Sequence, residues 1–290
     1  AGKTGEVTIP DGVERIRKQA FFGSKISKVV FPDSLVRLQN EAFYGCENLK
    51  EIDFGNGIEQ IGGAENKHIF SGCPVEKLIF PPQVKEIGIS AFYSCGELKE
   101  IIFEEGLKYI REGAFKNCPK LTEVNLPESI KNVGLDAFVC EIAREKIQDI
   151  NINLTTIPKG LGRAIIHPGS MQTPRCVNVH VHNKNETFDF VIPDCVSATT
   201  NGYSEIVTGF NLMASDPEYC KKFHHLKWLN TAFMYAANSR FKYVCAYKTY
   251  KRTKNELAKE YLIDYQKMAA DAIALELAEK DFVDFLRLEF

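Results

Sequence analysis

One short cycle recurs through the first half of the chain. Alanine followed by phenylalanine stands at Ala20-Phe21, Ala42-Phe43, Ala91-Phe92, Ala114-Phe115 and Ala137-Phe138, with Ile69-Phe70 filling the remaining place. Successive phenylalanines lie 22, 27, 22, 23 and 23 residues apart. The long interval has a local source, the segment IGGAENKHIFSGC, which carries four or five extra residues between Ile61 and Ile69. A fixed period of about 20 to 29 residues is the mark of a stacked array. One unit has an apolar side that it cannot bury alone, so the units must bury it against each other as a solenoid.

The roles inside a unit separate by spacing. Leu98-x-x-Ile101-x-Phe103 alternates apolar and polar residues and reads as a short strand with one face buried. Its counterparts are Ile26/Val29/Phe31, Leu49/Ile52/Phe54, Val75/Leu78/Phe80 and Leu121/Val124/Leu126. Pro32, Gly55, Pro81 and Pro127 follow these runs and end them. Pairs such as Ile58/Ile61 and Val84/Ile87 make a second extended segment, and Ala-Phe then opens a tight turn whose ring fills the space between coils.

Five of the nine cysteines, Cys46, Cys73, Cys95, Cys118 and Cys140, occupy one place in successive units. A column of like residues marks a packing position, and free cysteine packs as a small hydrophobe, so these read as buried thiols. The chain is too long and too sparse in cysteine for a disulfide-stapled scaffold.

The repeat as it stands in EIGISAFYSCGELKEIIFEEGLKYIREGAFKNCPKLTEVNLP (86–127) resembles the BspA-type (treponemal) leucine-rich repeat family, over about Val7 to Cys140. The resemblance implies a right-handed solenoid used for adhesion or protein binding, without catalysis through its repeats. It also implies a secreted or cell-surface protein, possible host partners included. A chain from which no leader had been removed would instead read as cytoplasmic. The first coil begins almost at the N-terminus with no capping sequence, which reads as a trimmed fragment.

Outward strand positions form two columns. Lys28, Glu51, Lys77, Glu100 and Glu123 alternate in sign over four coils, so neighbours about 5 Å apart are placed to pair. Val30, Asp53, Ile79, Ile102 and Asn125 form the other column and are the candidate partner-binding residues. They read either as an apolar strip for a partner or as ordinary surface, since single exposed apolar residues are normal.

After Cys140 the period fails. A degenerate coil is expected around Ile150 to Pro158, then a connector from Lys159 to Pro174. CVNVHVHNKNETFDFVIP reads as a β-hairpin around Asn183-Lys184-Asn185, placed to cap the solenoid. From Ser215 the signals are helical. Asp216-Pro217 opens one helix, and Thr253-x-x-Glu256 forms a capping box for a long one. Leu257, Tyr261, Tyr265, Met268, Ala272 and Leu275 lie on one face of it. Lys280-Asp281 breaks it before a last short helix.

The expected architecture is therefore α/β: a solenoid of about six coils over 1–158, a connector and β-hairpin cap over 159–195, and an α-helical domain over 196–290. With 44% hydrophobic and 26% charged residues the chain is ordinary globular protein, and its net charge of −2 sets up no field toward nucleic acid or membrane. No apolar run is long enough to span a bilayer.

Locally the charge is uneven. Residues 218–254 hold nine Lys/Arg against one acid, interleaved with aromatics, a pattern that can grip phosphates and stack bases. Tyr243, Tyr247 and Tyr250 follow helical core spacing, so the same residues also read as a packed stripe with a solvated basic face. His180-x-His182 puts two imidazoles on one strand face, a possible half of a metal site that lacks a ligand at the right spacing and reads better as exposed hairpin histidines. His224-His225 points its rings apart on a helix. Gly55-x-Gly57 and Gly160-x-Gly162 lack the third glycine of a phosphate cradle, and no nucleophile, kinase or zincin motif occurs. The expectation is a non-catalytic, protein-binding scaffold with no metal or cofactor. Nucleic-acid binding through 218–254 is the alternative.

Overall fold

The computed structural model describes residues 4–142, 148–169, 174–182, 187–198, 201–216 and 231–288. Seven coils stack through the first half. Each opens with a strand on one side: Thr4–Thr8, Lys25–Val30, Glu51–Asp53, Lys77–Phe80, Glu100–Phe103, Glu123–Asn125 and Ile150–Leu154. Where these pair they are parallel and in the register of the repeat, Lys28 beside Glu51 and Leu78 beside Ile101. A second column of two-residue strands, Arg15–Ile16 through Asn132–Val133, runs along the opposite corner and continues to Lys159 as a bridge.

The Ala-Phe turns form the third side. Phe43 N–H donates to Ile69 O, Phe70 to Ala91, Phe92 to Ala114 and Phe115 to Ala137, at 2.8–3.0 Å. The rings of Phe21, Phe43, Phe70, Phe92, Phe115 and Phe138 stack in turn, with centroids 4.8 to 5.7 Å apart. The rings therefore take the coil spacing and fill the core from the first coil to the sixth. Each of the six turns is entered through a left-handed residue: Gln19, Glu41, His68, Ser90, Gly113 and Asp136 have φ between 52° and 60°. Elsewhere neighbouring backbones come too close for a side chain. A Cβ on Gly88 would sit 2.2 Å from Gly63 N, and one on Gly134 2.4 Å from Glu112 N.

The cysteine column is a set of buried free thiols. Cys46, Cys73, Cys95 and Cys118 each donate from Sγ to the carbonyl of Phe21, Phe43, Phe70 and Phe92 in the coil before, at 3.0 to 3.4 Å. A cysteine here fills apolar space and also satisfies a buried carbonyl, which alanine would leave bare.

The degenerate coil expected around Ile150 to Pro158 is present as a seventh coil, and from Lys159 the chain continues the solenoid where a connector was expected. Lys159 joins the second strand column, and α1 (Leu161–Ile165) takes the place of the next Ala-Phe turn, Phe138 N–H donating to Ala164 O at 2.9 Å. Coil six has backbone groups that need partners, and this segment supplies them. Ala164-Ile165 does the work of Ala-Phe without the ring. The hairpin, Cys176–His182 with Thr187–Pro193, extends the strand side of the solenoid: its first strand pairs parallel with Ile150–Leu154, its second antiparallel with the first. The hairpin turn at Asn183 to Asn185 lies outside the described residues.

The buried residues of the helices are divided between two cores. α2 (Gly202–Ser215) buries Ile206, Phe210 and Met213 in the solenoid core. A separate core joins α3 (Ser239–Thr253), α4 (Glu256–Asp264), α5 (Gln266–Glu276) and α6 (Glu279–Leu286) with Cys176 and Val191 of the hairpin. Their boundaries differ from those expected. α3 runs through Thr253 and ends at Lys254 in the left-handed conformation, and the cap of the next helix is Asn255, which accepts from Ala258 N–H. The long helix is interrupted at Tyr265, and the next break falls at Leu277-Ala278. The buried stripe is Ala258, Leu262, Ala269, Ala272 and Ile273, with Tyr265, Met268 and Leu275 on the outside. Small side chains let helices approach, so alanines won the inward face over larger apolar residues of similar spacing. Pro217 and its helix start lie outside the described residues.

Candidate protein-binding face

The strand side of the solenoid carries the residues singled out from the repeat. Val30 lies beside Asp53 and Ile79 beside Ile102, while Asn125 neighbours Asn153 of the seventh coil. Asp53 and Asn125 are exposed, Val30 and Ile102 half-buried, and Ile79 is 51% exposed, which makes it the most exposed apolar residue of the column. The adjacent column neutralises itself: Lys28 Nζ is 3.2 Å from Glu51 and Lys77 Nζ 2.9 Å from Glu100. The result is a surface with an apolar pair, Ile79 and Ile102, flanked by paired charge.

This face has a limit that the repeat does not reveal. Asn151, Asn153, Asn178 and His180 continue it across coil seven and the hairpin. Asn153 Nδ2 donates to Asn125 Oδ1 at 2.8 Å, and Asn178 Nδ2 to Asn151 Oδ1 at 3.0 Å. α3 then covers its end. Lys248 Nζ pairs with Asp149 at 2.6 Å, Cys245 Sγ lies 3.4 Å from Cys176 Sγ, and Arg252 bonds His180. Burial would lower the Lys248 pKa, but the charges around it, Asp149 among them, hold it well above its ordinary value. His180 is thus not an exposed hairpin histidine. It is 6% exposed, with Nδ1 on Asp189 and Nε2 on Arg252, so both ring nitrogens are engaged.

Half of the described cations of the basic aromatic segment are paired with acids that it packs against. Lys251 pairs with Asp281 and Asp284, Arg240 with Glu276, and Lys248 with Asp149. Tyr247 is buried, while Tyr243 and Tyr250 pack half-buried against the same core. Lys221, Lys222, Lys227 and His224-His225 lie outside the described residues.

Two charged clusters have no counterpart in the sequence reading. Arg175 and Asp194 are 2% and 1% exposed and face each other at 3.4 Å where the hairpin meets coil six. Arg175 Nη2 donates to Phe138 O at 2.7 Å, and Asp194 Oδ1 accepts from the Arg175 N–H. Burial pushes the Asp194 carboxyl up to about 7 despite that guanidinium. The other cluster brings ligand atoms of Asp136, Glu141 and His167 within 4.8 Å of one another. Lys116 Nζ already sits among them, 2.8 Å from Asp136 and 3.0 Å from Glu141. Burial alone would lower its pKa, yet the two carboxylates hold it above the ordinary value. An ammonium between two carboxylates occupies the place that a metal would need.

The model of the BspA type leucine rich repeat region matches residues 2–65 and 65–161, in six copies. The chain belongs to that family. BspA type repeats build scaffolds for protein interaction, and the stacked coils here are of that kind. The search of curated proteins gave no match. Among solved structures, the chain is similar to a leucine-rich repeat protein of T. pallidum, with 27% identity over 54% of this chain and 76% of that one and a TM-score of 0.44. It is also similar to the pneumococcal vaccine antigen PcpA, with 24% identity over 48% of this chain and 38% of that one and a TM-score of 0.40. A leucine-rich cell surface protein of Faecalibacterium prausnitzii shares 18% identity over 48% of this chain and 45% of that one, with a TM-score of 0.35. The chain thus spans less than half the length of the last two. Among the described residues, no helix is long and apolar enough to cross a membrane.

Proposed function

We propose that the protein is a non-catalytic scaffold that binds another protein, at a host or cell surface, through Val30, Asp53, Ile79, Ile102 and Asn125. The observation that carries this reading is the half-exposed Ile79 in register with Ile102, beside a column in which Lys28 pairs with Glu51 and Lys77 with Glu100. A face built of strands in a stacked core has its side chains ordered before the partner arrives, so little conformational entropy is lost on binding. α3 closes one end of the surface, which leaves the strand positions of coils two to six for the partner.

The test is capture of partners from extracts of the source cell and of a host, with the full chain as bait. Ile79→Asp with Ile102→Asp should abolish capture of the partner, while Lys251→Glu with Lys254→Glu should leave it unchanged. The opposite pattern would move binding to the helical region. Capture that a nuclease removes would make nucleic acid the partner and end this reading.

A further inference from the structure

Away from the strand face, a cavity of about 600 Å³ opens where the second strand column, the close of coil seven, the hairpin and the end of α2 converge. That volume lies within the range of about 300 to 1,000 Å³ of sites that enclose a small molecule. Its floor is apolar: Ile130, Val181, Phe190 and Met213 line it and are each at most 5% exposed. Its polar lining is the half-buried Tyr109 and the exposed Asn132, Thr155, Thr156, Lys131 and Lys159.

Among the described residues, some lysines of the solenoid are ion-paired and others are not. Lys28, Lys77, Lys99, Lys116 and Lys120 of the same solenoid each have a carboxylate within salt-bridge distance. Lys131 and Lys159 have none among the described residues. Lys131 also continues a stack, its N–H donating to Lys108 O and that of Lys108 to Lys85 O, so cations follow one another from coil to coil. Like charges at this spacing repel, and a bound anion relieves the repulsion. The floor asks for something else, because it offers no polar side chain to a peptide backbone, whose N–H and C=O groups need partners when buried.

We infer that this cavity binds a free single-chain amphipathic carboxylate, with its apolar chain on the Ile130, Val181, Phe190 and Met213 floor and its carboxylate between Lys131 and Lys159. The cavity shares no residue with the strand face, so the inference stands apart from that proposal.

Isothermal titration of the full chain with dodecanoate, kept below its micelle concentration, tests it. One saturable site is expected, weakening about fourfold for each methylene removed on the way to octanoate. Lys131→Glu with Lys159→Glu should weaken dodecanoate by about tenfold or more and leave dodecanol unaffected. These are surface changes, and circular dichroism verifies that the variant is folded. Val181→Thr, a near-isosteric change on the floor, should weaken both ligands. Absence of saturable binding, or an affinity indifferent to chain length or to the charge reversal, would overturn the inference. So would tighter binding of a glutamate-rich peptide or of anionic vesicles than of dodecanoate, since either would place a macromolecule on the lysines and leave the cavity without a role.

Discussion

The solenoid and the four-helix region α3 to α6 are held together over very different distances along the chain. In the solenoid each phenylalanine ring, thiol and strand meets its counterpart one coil away, as Phe92 meets Phe115. In the helical region the ties are irregular: Lys248 reaches Asp149 across 99 residues, Cys245 reaches Cys176 across 69, and Tyr247 Oη donates to Asp281 O across 34. A repeat array needs only nearest-neighbour contacts, so one unit's solution serves all units. The helical region solves its packing once, at positions that nothing else in the chain repeats.

The largest expected effect tests the ring stack. Phe92→Ala or Phe115→Ala should lower the unfolding free energy by about 3–5 kcal/mol, because each leaves a cavity between two coils. Chemical denaturation measures this, and a loss below about 1 kcal/mol would mean that the ring does not sit between coils.

The junction comes next. The Asp194 carboxyl has an ordinary pKa of 3.8 and titrates near 7 in the folded chain. The folded state therefore holds its proton more tightly than the unfolded one. Stability contributed by the protonated group is present below about pH 4, is lost as pH rises toward 7 and changes no further above that. The loss is about 4 kcal/mol at most, since each pKa unit is worth about 1.4 kcal/mol. Urea midpoints at pH 5 and pH 8 should differ less in Asp194→Asn than in the parent, and an unchanged difference would clear Asp194 of this role.

Smaller effects separate the two kinds of ion pair. Lys248→Ala should cost about 2 kcal/mol, because it leaves Asp149 without its charged partner under α3. Lys77→Ala, which removes an exposed pair from the strand face, should cost no more than about 0.5 kcal/mol. Equal costs would erase the distinction between a face that merely balances its charge and a junction that depends on it.

What could be read from residues alone followed the same division. The strand register, the ring stack and the thiol column were all legible, because a period of 22 or 23 residues brings like positions together whatever else the chain does. The outward positions Val30 to Asn125 were legible as one column for the same reason. The seventh coil was legible only in its strand, as a degenerate coil around Ile150 to Pro158; its turn was not, since Ala164-Ile165 lacks both the ring and the cysteine that marked the earlier turns. The capping box at Thr253 was a fair local signal, but α3 continues through it because its inner face packs on the hairpin. Arg175 and Asp194 stand 19 residues apart with no motif around them, and only the folded hairpin brings them together.

By itself, then, the sequence determined that the first half stacks, which residues face inward and which column faces outward. It could do so because in a solenoid each contact is a fixed number of residues from its partner. Where the outward face ends, which charges remain unpaired and where a cavity opens were decided by the tertiary structure. α3 lies across the terminal hairpin, acids of α5 and α6 meet the basic residues of α3, and α2 ends beside coil seven. Those meetings depend on how separate cores settle against each other, and no period in the chain encodes them.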